Sequence, residues 1–190
     1  MNASTRTLGL APILLSVLCG CGYNTIQTYD EQVNAAESQI KVQLQRRADL
    51  IPNLVETVKG YAKQEQTIFT NVAEARAKLA GAVQSGDLQQ MAAANQALNA
   101  PLGRLLAIAE NYPQLKSNEN FRALQDQLEG TENRISVARQ DYNETVNRYN
   151  AYIRRFPQVL TAKVLGKKPR AYFELQTPGA AEAPHVDFSH

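Results

Sequence analysis

The chain has 190 residues, of which 44% are hydrophobic and 20% charged, with a formal net charge of +2. A balance this even argues against nucleic acid as a partner, and the length is enough for one self-sufficient core. Two cysteines and two histidines are little material for disulfides, metal centres or nucleophilic triads.

The first twenty residues read as a secretory signal. Arg6 is their single charge, and Leu8 to Leu18 is an apolar run. The run is far short of the ~20 apolar residues a membrane-crossing helix needs, and Pro12 weakens it further. It ends in Leu18-Cys19-Gly20-Cys21. An aliphatic residue three places before a cysteine, and a small one just before it, is the cut-and-lipidate signal of a bacterial lipoprotein. Cys21 meets both conditions, whereas Cys19 follows the bulky Leu18. Cys21 is therefore the expected lipid-attachment residue. One acyl chain, at ~0.8 kcal/mol per buried CH₂, holds a protein only marginally, so stable anchoring needs two or three. Cleavage before Cys21 would leave 190 − 20 = 170 residues with one cysteine and no possible disulfide. Gly22 follows, with no Asp there to argue for inner-membrane retention. In a diderm this favours the outer membrane, facing the periplasm; the alternative is an inner-membrane attachment through an uncleaved N-terminal segment.

The rest is helical by its periodicity. In the first stretch Ile26, Val33, Ile40, Arg47, Leu54 and Tyr61 recur every seven residues, with Leu44, Ile51 and Val58 in the second register. Such spacing lays one apolar stripe on a helix. Pro52 removes a backbone donor and clashes with the Ala48 carbonyl, so a kink or break is expected near Ile51. Asp49 stands where it would cap a restarted helix. Ser85-Gly86-Asp87 ends the second stretch. Asp87 opens the third with Gln90 as its capping-box partner, and Tyr112-Pro113 closes it. Ser117 or Asn118 opens a long helix whose stripe runs Phe121, Leu128, Ile135, Tyr142, Tyr149 and Phe156, with Leu124, Ala138, Val146 and Ile153 between. A repeat held this long implies coiled-coil-like packing, and its aromatics are expected in the core. Phe156-Pro157 marks its end. Short connections make neighbours antiparallel. The expected fold is all-α, an elongated antiparallel bundle with a four-helix core.

The expected organisation is a lipoprotein signal at 1–20, the helical bundle at 21–157, a short segment docking on it at 158–176, and a mobile tail at 177–190. Between Thr145 and Phe173 there is no acidic residue but seven basic ones. Arg148, Arg154 and Arg155 suit a helix C-terminus. Lys163, Lys167, Lys168 and Arg170 either stay solvated or lean on anionic headgroups, at up to ~1 kcal/mol per charge.

No catalytic, metal or cofactor residues are expected. Bundle metal sites use Glu-x-x-His pairs, but His185 and His190 both fall in the tail. Nucleophilic triads need a histidine held in place, and phosphate-cradling glycine loops are absent. Glu56, Glu65, Glu110 and Glu132 are formal candidates for a peptidoglycan-cutting carboxylate, with no Trp to stack a sugar.

One stretch, Val42 to Ala62, reads VQLQRRADLIPNLVETVKGYA. Together with Ala73-Glu74-Ala75-Arg76, Glu110-Asn111-Tyr112-Pro113, Asn118-Glu119-Asn120-Phe121, Thr131-Glu132-Asn133-Arg134-Ile135 and Tyr172-Phe173-Glu174, it resembles the LemA family along nearly the whole mature chain. Glu37 stands where family members often have Trp. The resemblance implies a membrane-tethered bundle and no established reaction. Arg46, Arg47 and Asp49, beside the proline, have two readings. Guanidinium groups hold the bend by bonding freed carbonyls and Asp49, or the three form a partner-docking site. The expected role is an interaction, scaffold or accessory lipoprotein without enzymatic activity, bound to lipid through Cys21 and to an envelope protein. The alternatives are a regulator or adaptor of an inner-membrane protease or transporter and, third, a peptidoglycan hydrolase.

Overall fold

A computed structural model of the protein describes residues 22–173. The helices run in the order α1 (Tyr23–Lys59), α2 (Gln66–Ser85), α3 (Leu88–Glu110), α4 (Pro113–Lys116), α5 (Glu119–Arg154) and α6 (Gln158–Val164). No strand occurs among the described residues, so the fold is all-α as the periodicity requires. Cys21, His185 and His190 lie outside the described residues.

The turns form where local chemistry favours them. Gly86, after α2, has φ 73, a left-handed conformation that glycine adopts without a Cβ penalty. Asp87 then caps α3: its carboxylate accepts from the backbone N–H groups of Gln89 and Gln90, and the Gln90 side chain returns a bond to it. Asn118 opens α5, its Oδ1 accepting from the Phe121 N–H at 3.0 Å.

Of the kink or break expected near Pro52, a break does not occur. α1 is one helix of 37 residues with Pro52 inside it, and Asp49 is an interior residue rather than a cap. The helix survives because the carbonyl freed by the missing proline donor finds another partner. Arg76 Nε, from α2, donates to Ala48 O at 3.1 Å. α3 likewise runs through an interior proline, Pro101.

The described residues form two compact units. One comprises the residues up to Ile40 with Val137–Tyr172, the other Lys41–Ser136 with Phe173. In the larger unit, the second half of α1, α2, α3 and the first half of α5 supply a core of Leu44, Ile51, Leu54, Val58, Val72, Leu79, Met91, Leu98, Leu105 and Leu128, each 5% exposed or less. Burial of each such side chain is worth about 1.5–3 kcal/mol. α2 and α3, joined by the tight Gly86 turn, pack on each other.

In the smaller unit, Ile26, Val33 and Ile40 from α1 and Tyr142, Val146, Tyr149 and Ile153 from α5 are buried. Tyr29 and Tyr152 meet edge to face at 5.2 Å, a favoured aromatic geometry. The stripes are shorter than the heptad count suggests. Tyr61 and Phe156 fall past the ends of α1 and α5, and they are 38% and 78% exposed. The period of seven fixes a face only while the helix lasts.

Candidate functional site

Three places in the fold gather functional groups: a buried arginine network, an ion cluster under the C-terminal strap, and an open groove along α1.

Arg47 occupies an apolar heptad position and is 4% exposed. Its Nη1 donates to Asn95 Oδ1 at 2.6 Å and its Nη2 to Asn99 Oδ1 at 2.8 Å. Nη1 also lies 2.5 Å from Glu132 Oε2. The side chain therefore joins α1 to α3 and α5 from inside the larger unit. Burial pushes the guanidinium below its ordinary range, and Glu132 opposes that shift. A depression of about 300 Å³ beside it is lined by Asn99, Leu102, Leu106, Leu128 and Glu132.

Arg46 and Asp49 do not join Arg47. Both are exposed and line an open groove of about 470 Å³ with Val42, Gln45, Leu50 and Val83. Gln45 Nε2 donates to Asp49 Oδ1 at 2.8 Å, and Arg76 Nη2 stands 4.0 Å from the same oxygen. The guanidinium that bonds the freed carbonyl and faces Asp49 is thus that of Arg76, not of Arg46 or Arg47.

In the smaller unit the chain turns after α6 at Leu165 and Gly166, where Gly166 has φ 65, and continues without helix or strand as a strap to Tyr172. Arg170 Nη2 donates to Asp30 Oδ1 at 3.0 Å and to Asn34 Oδ1 at 3.0 Å, and Lys167 Nζ meets Asp30 Oδ2 at 2.5 Å. The strap's backbone is served by α5: the Tyr142 hydroxyl donates to Ala171 O at 3.0 Å, the Tyr149 hydroxyl to Lys168 O at 3.3 Å, and Asn150 bonds both N–H and O of Arg170. Burial works against ionisation of Asp30, but the bonds from Lys167 and Arg170 outweigh it and hold the carboxyl below its ordinary range. Burial first, then Glu37, pushes the Tyr142 hydroxyl up to about 12. Of the four cations expected to face headgroups, Lys167 and Arg170 are half-buried in this cluster, whereas Lys163 and Lys168 are exposed.

Of the carboxylate candidates, Glu56 pairs with Lys59 at 2.9 Å, Glu132 is taken by Arg47, and Glu110 lies exposed at the end of α3. Among the described residues no group of three or more His, Cys, Asp or Glu is placed to hold a metal ion. No helix among them is long and apolar enough to cross a membrane.

Sequence reasoning overlooked Asn95, Asn99, Arg76, Asp30 and Asn34 as partners. A signal existed for two pairs. Asn95 with Asn99, and Asp30 with Asn34, are each spaced four apart, which puts both members on one helix face.

Residues 36–188 match the LemA family. The chain is similar to the magnetosome proteins MamQ 1 and MamQ 2 of Paramagnetospirillum magneticum, each 29% identical over 182 residues, covering 83% of this chain and 66% of the relative. It is also similar to magnetosome protein MamQ of Magnetospirillum gryphiswaldense, 27% identical over 180 residues with the same coverage. The chain thus spans 66% of the length of these relatives.

Proposed function

We infer that this chain, which belongs to the LemA family, is a lipid-anchored envelope protein that acts by binding other proteins rather than by catalysis. The observation that carries the reading is the junction between signal and fold. Leu18-Cys19-Gly20-Cys21 runs directly into α1, which begins at Tyr23. Acyl chains on Cys21 would hold the first turn of α1 at a bilayer, and two or three such chains are what stable attachment needs. With Gly22 next in the chain, the outer membrane's periplasmic face is the favoured address in a diderm.

The binding role rests on the groove of Val42, Arg46, Asp49, Leu50 and Val83. Val42 is 56% exposed there, with the exposed Arg46 and Asp49 beside it in the same groove. An apolar floor with a polar rim is the usual make-up of a protein-docking surface. The matched relatives are named for an assembly, the magnetosome, and not for a reaction, which supports a role defined by attachment.

Fractionation of cells fed radiolabelled palmitate tests the anchor. Wild type should carry label in the membrane fraction, and Cys21→Ala should lose it and leave the membrane. A Cys21→Ala protein that stays membrane-bound, beside an unlabelled wild type, would mean an uncleaved N-terminal anchor. Photocrosslinkers at Val42 and Arg46 in intact membranes should capture one reproducible protein. Clearing of cell-wall substrate by the purified protein would overturn the non-catalytic reading.

A further inference from the structure

α6 is amphipathic with its apolar face turned outward. Thr161 and Ala162 are buried on its inner side, yet Leu160 is 49% and Val164 81% exposed, one turn apart on the outer side. Phe156, four residues before Leu160 in the preceding turn, is 78% exposed. Three large apolar side chains within nine residues form the sort of patch that marks an interaction site.

The rim of this patch is basic. Arg154, Arg155, Lys163 and Lys168 are exposed, and no acidic residue occurs between Thr145 and Phe173. Lys167 and Arg170 already share Asp30 as an ion-pair partner, whereas Arg154, Arg155, Lys163 and Lys168 stand exposed around the apolar face. Exposed apolar residues with interspersed cations are the signature of a segment lying in a membrane interface.

The helix that carries the patch also stands beside the residue that follows Cys21. Gly22 has φ 128, and a Cβ there would come 3.1 Å from Gln158 Cγ at the start of α6 and 3.3 Å from the Tyr152 hydroxyl. The first described residue therefore packs against α6. Cys21 is one peptide unit, ~3.8 Å between Cα atoms, from it. Tyr23, the next residue, is 46% exposed, and tyrosine favours the headgroup region.

We propose that the outer face of α6 is a membrane-contact surface. Phe156, Leu160 and Val164 enter the interface of an anionic bilayer, and Lys163, Lys168 and Arg155 meet its headgroups. The inference deepens the reading of Cys21 as a lipid anchor, because that anchor delivers α6 to the bilayer.

The chain has no tryptophan, so Val164→Trp in the full chain is a single reporter. Val137→Trp is its control. Val137 is 57% exposed on α5, and at ~1.5 Å per residue it lies about 25 Å along the helix from Arg154. Each protein, extracted from its host membranes, is reconstituted into phosphatidylcholine vesicles containing phosphatidylglycerol and chain-brominated lipid. The Val164→Trp emission should shift to the blue and be lost to bromine quenching, while the Val137→Trp emission should do neither. Omitting phosphatidylglycerol, or adding Lys163→Gln and Lys168→Gln, should reduce the quenching. The mass of the same preparation reports acylation of Cys21 independently. An acylated protein whose Val164→Trp emission is unquenched overturns the membrane surface, whereas an unacylated one overturns the anchor and leaves the quenching to judge α6. Shielding of this reporter from acrylamide in native membranes, without bromine quenching, would assign the face to a protein instead and overturn the proposal. Quenching that ignores phosphatidylglycerol would remove Lys163 and Lys168 from it.

Discussion

Arg76 on α2 donates from Nε to the carbonyl oxygen of Ala48 on α1 at 3.1 Å, and that oxygen is the one Pro52 leaves without its helical partner. The two residues together let a proline sit in the interior of a 37-residue helix. The bond also ties α2 to α1 at the one turn where α1 is weakest.

This predicts a coupling between positions 52 and 76. Arg76→Ala should cost about 1–2 kcal/mol in urea unfolding, the usual loss when a partly buried acceptor goes unmet. In a Pro52→Ala background the restored N–H at 52 serves Ala48, so the same substitution should cost distinctly less. Equal costs in the two backgrounds would show that Arg76 acts through something other than this carbonyl.

Arg47 should prove structural by the same measure. Arg47→Leu strands Asn95 and the buried oxygen of Glu132, whereas Glu132→Leu leaves the guanidinium its bonds to Asn95 and Asn99 and should cost distinctly less. Arg47→Leu should cost about 3 kcal/mol, or roughly 6–12 °C in Tm for a chain of this size. Arg47→Lys should recover little, because one ammonium cannot present the fork that reaches both asparagines and the carboxylate. A melt unmoved by Arg47→Leu would return this residue to the docking hypothesis.

Asp30 should make the smaller unit acid-labile. Its folded pKa lies below the ordinary carboxylate value, so the unfolded chain takes up the proton first. The stabilisation is therefore complete above ~pH 5 and lost as pH falls through the folded value. Asp30→Asn should cost about 1–3 kcal/mol at neutral pH, the range for hydrogen bonds to charged groups. It should also flatten the acid limb of the stability profile. Hydrogen exchange at residues 165–172 is the sensitive readout, since Lys167 and Arg170 hold the strap.

Tyr142 should act at the other end of the scale. Its hydroxyl is raised from 10.0 to about 12 in the folded protein. The unfolded chain ionises first, so this contribution persists to pH 10 and is lost between 10 and 12. Tyr142→Phe should remove about 1 kcal/mol at neutral pH by freeing Ala171 O. It should also shrink the alkaline loss, as seen in the pH dependence of the urea midpoint.

The helices, their caps and the buried stripes were legible because each follows a local rule. Asp87 with Gln90, Gly86, and the seven-residue spacing of Phe121 to Tyr149 need no knowledge of the rest of the chain. The fate of Pro52 was not legible. Whether a proline breaks a helix depends on whether some distant group meets the orphaned oxygen, and Arg76 is 28 residues from Ala48. The same holds for Arg47. An arginine in a core position announces that acceptors must exist, but only the fold shows that Asn95, Asn99 and Glu132 provide them. The cations of the strap looked alike in sequence. Asp30, 137 residues from Lys167, separates the two that are occupied from the two that remain free.

The packing of Gly22 at the start of α1 carries a mechanical consequence. α1 begins at Tyr23, and Gly22 is already packed against Gln158 and Tyr152. A domain acylated at Cys21 would be held close at Gly22, without the leash that lets a tethered module search a wide volume. It would not reach for partners across the envelope. Any protein it bound would have to come to it. Inserting a flexible stretch between Cys21 and Gly22 would then uncouple attachment from orientation, leaving the protein on the membrane but no longer pointing anywhere.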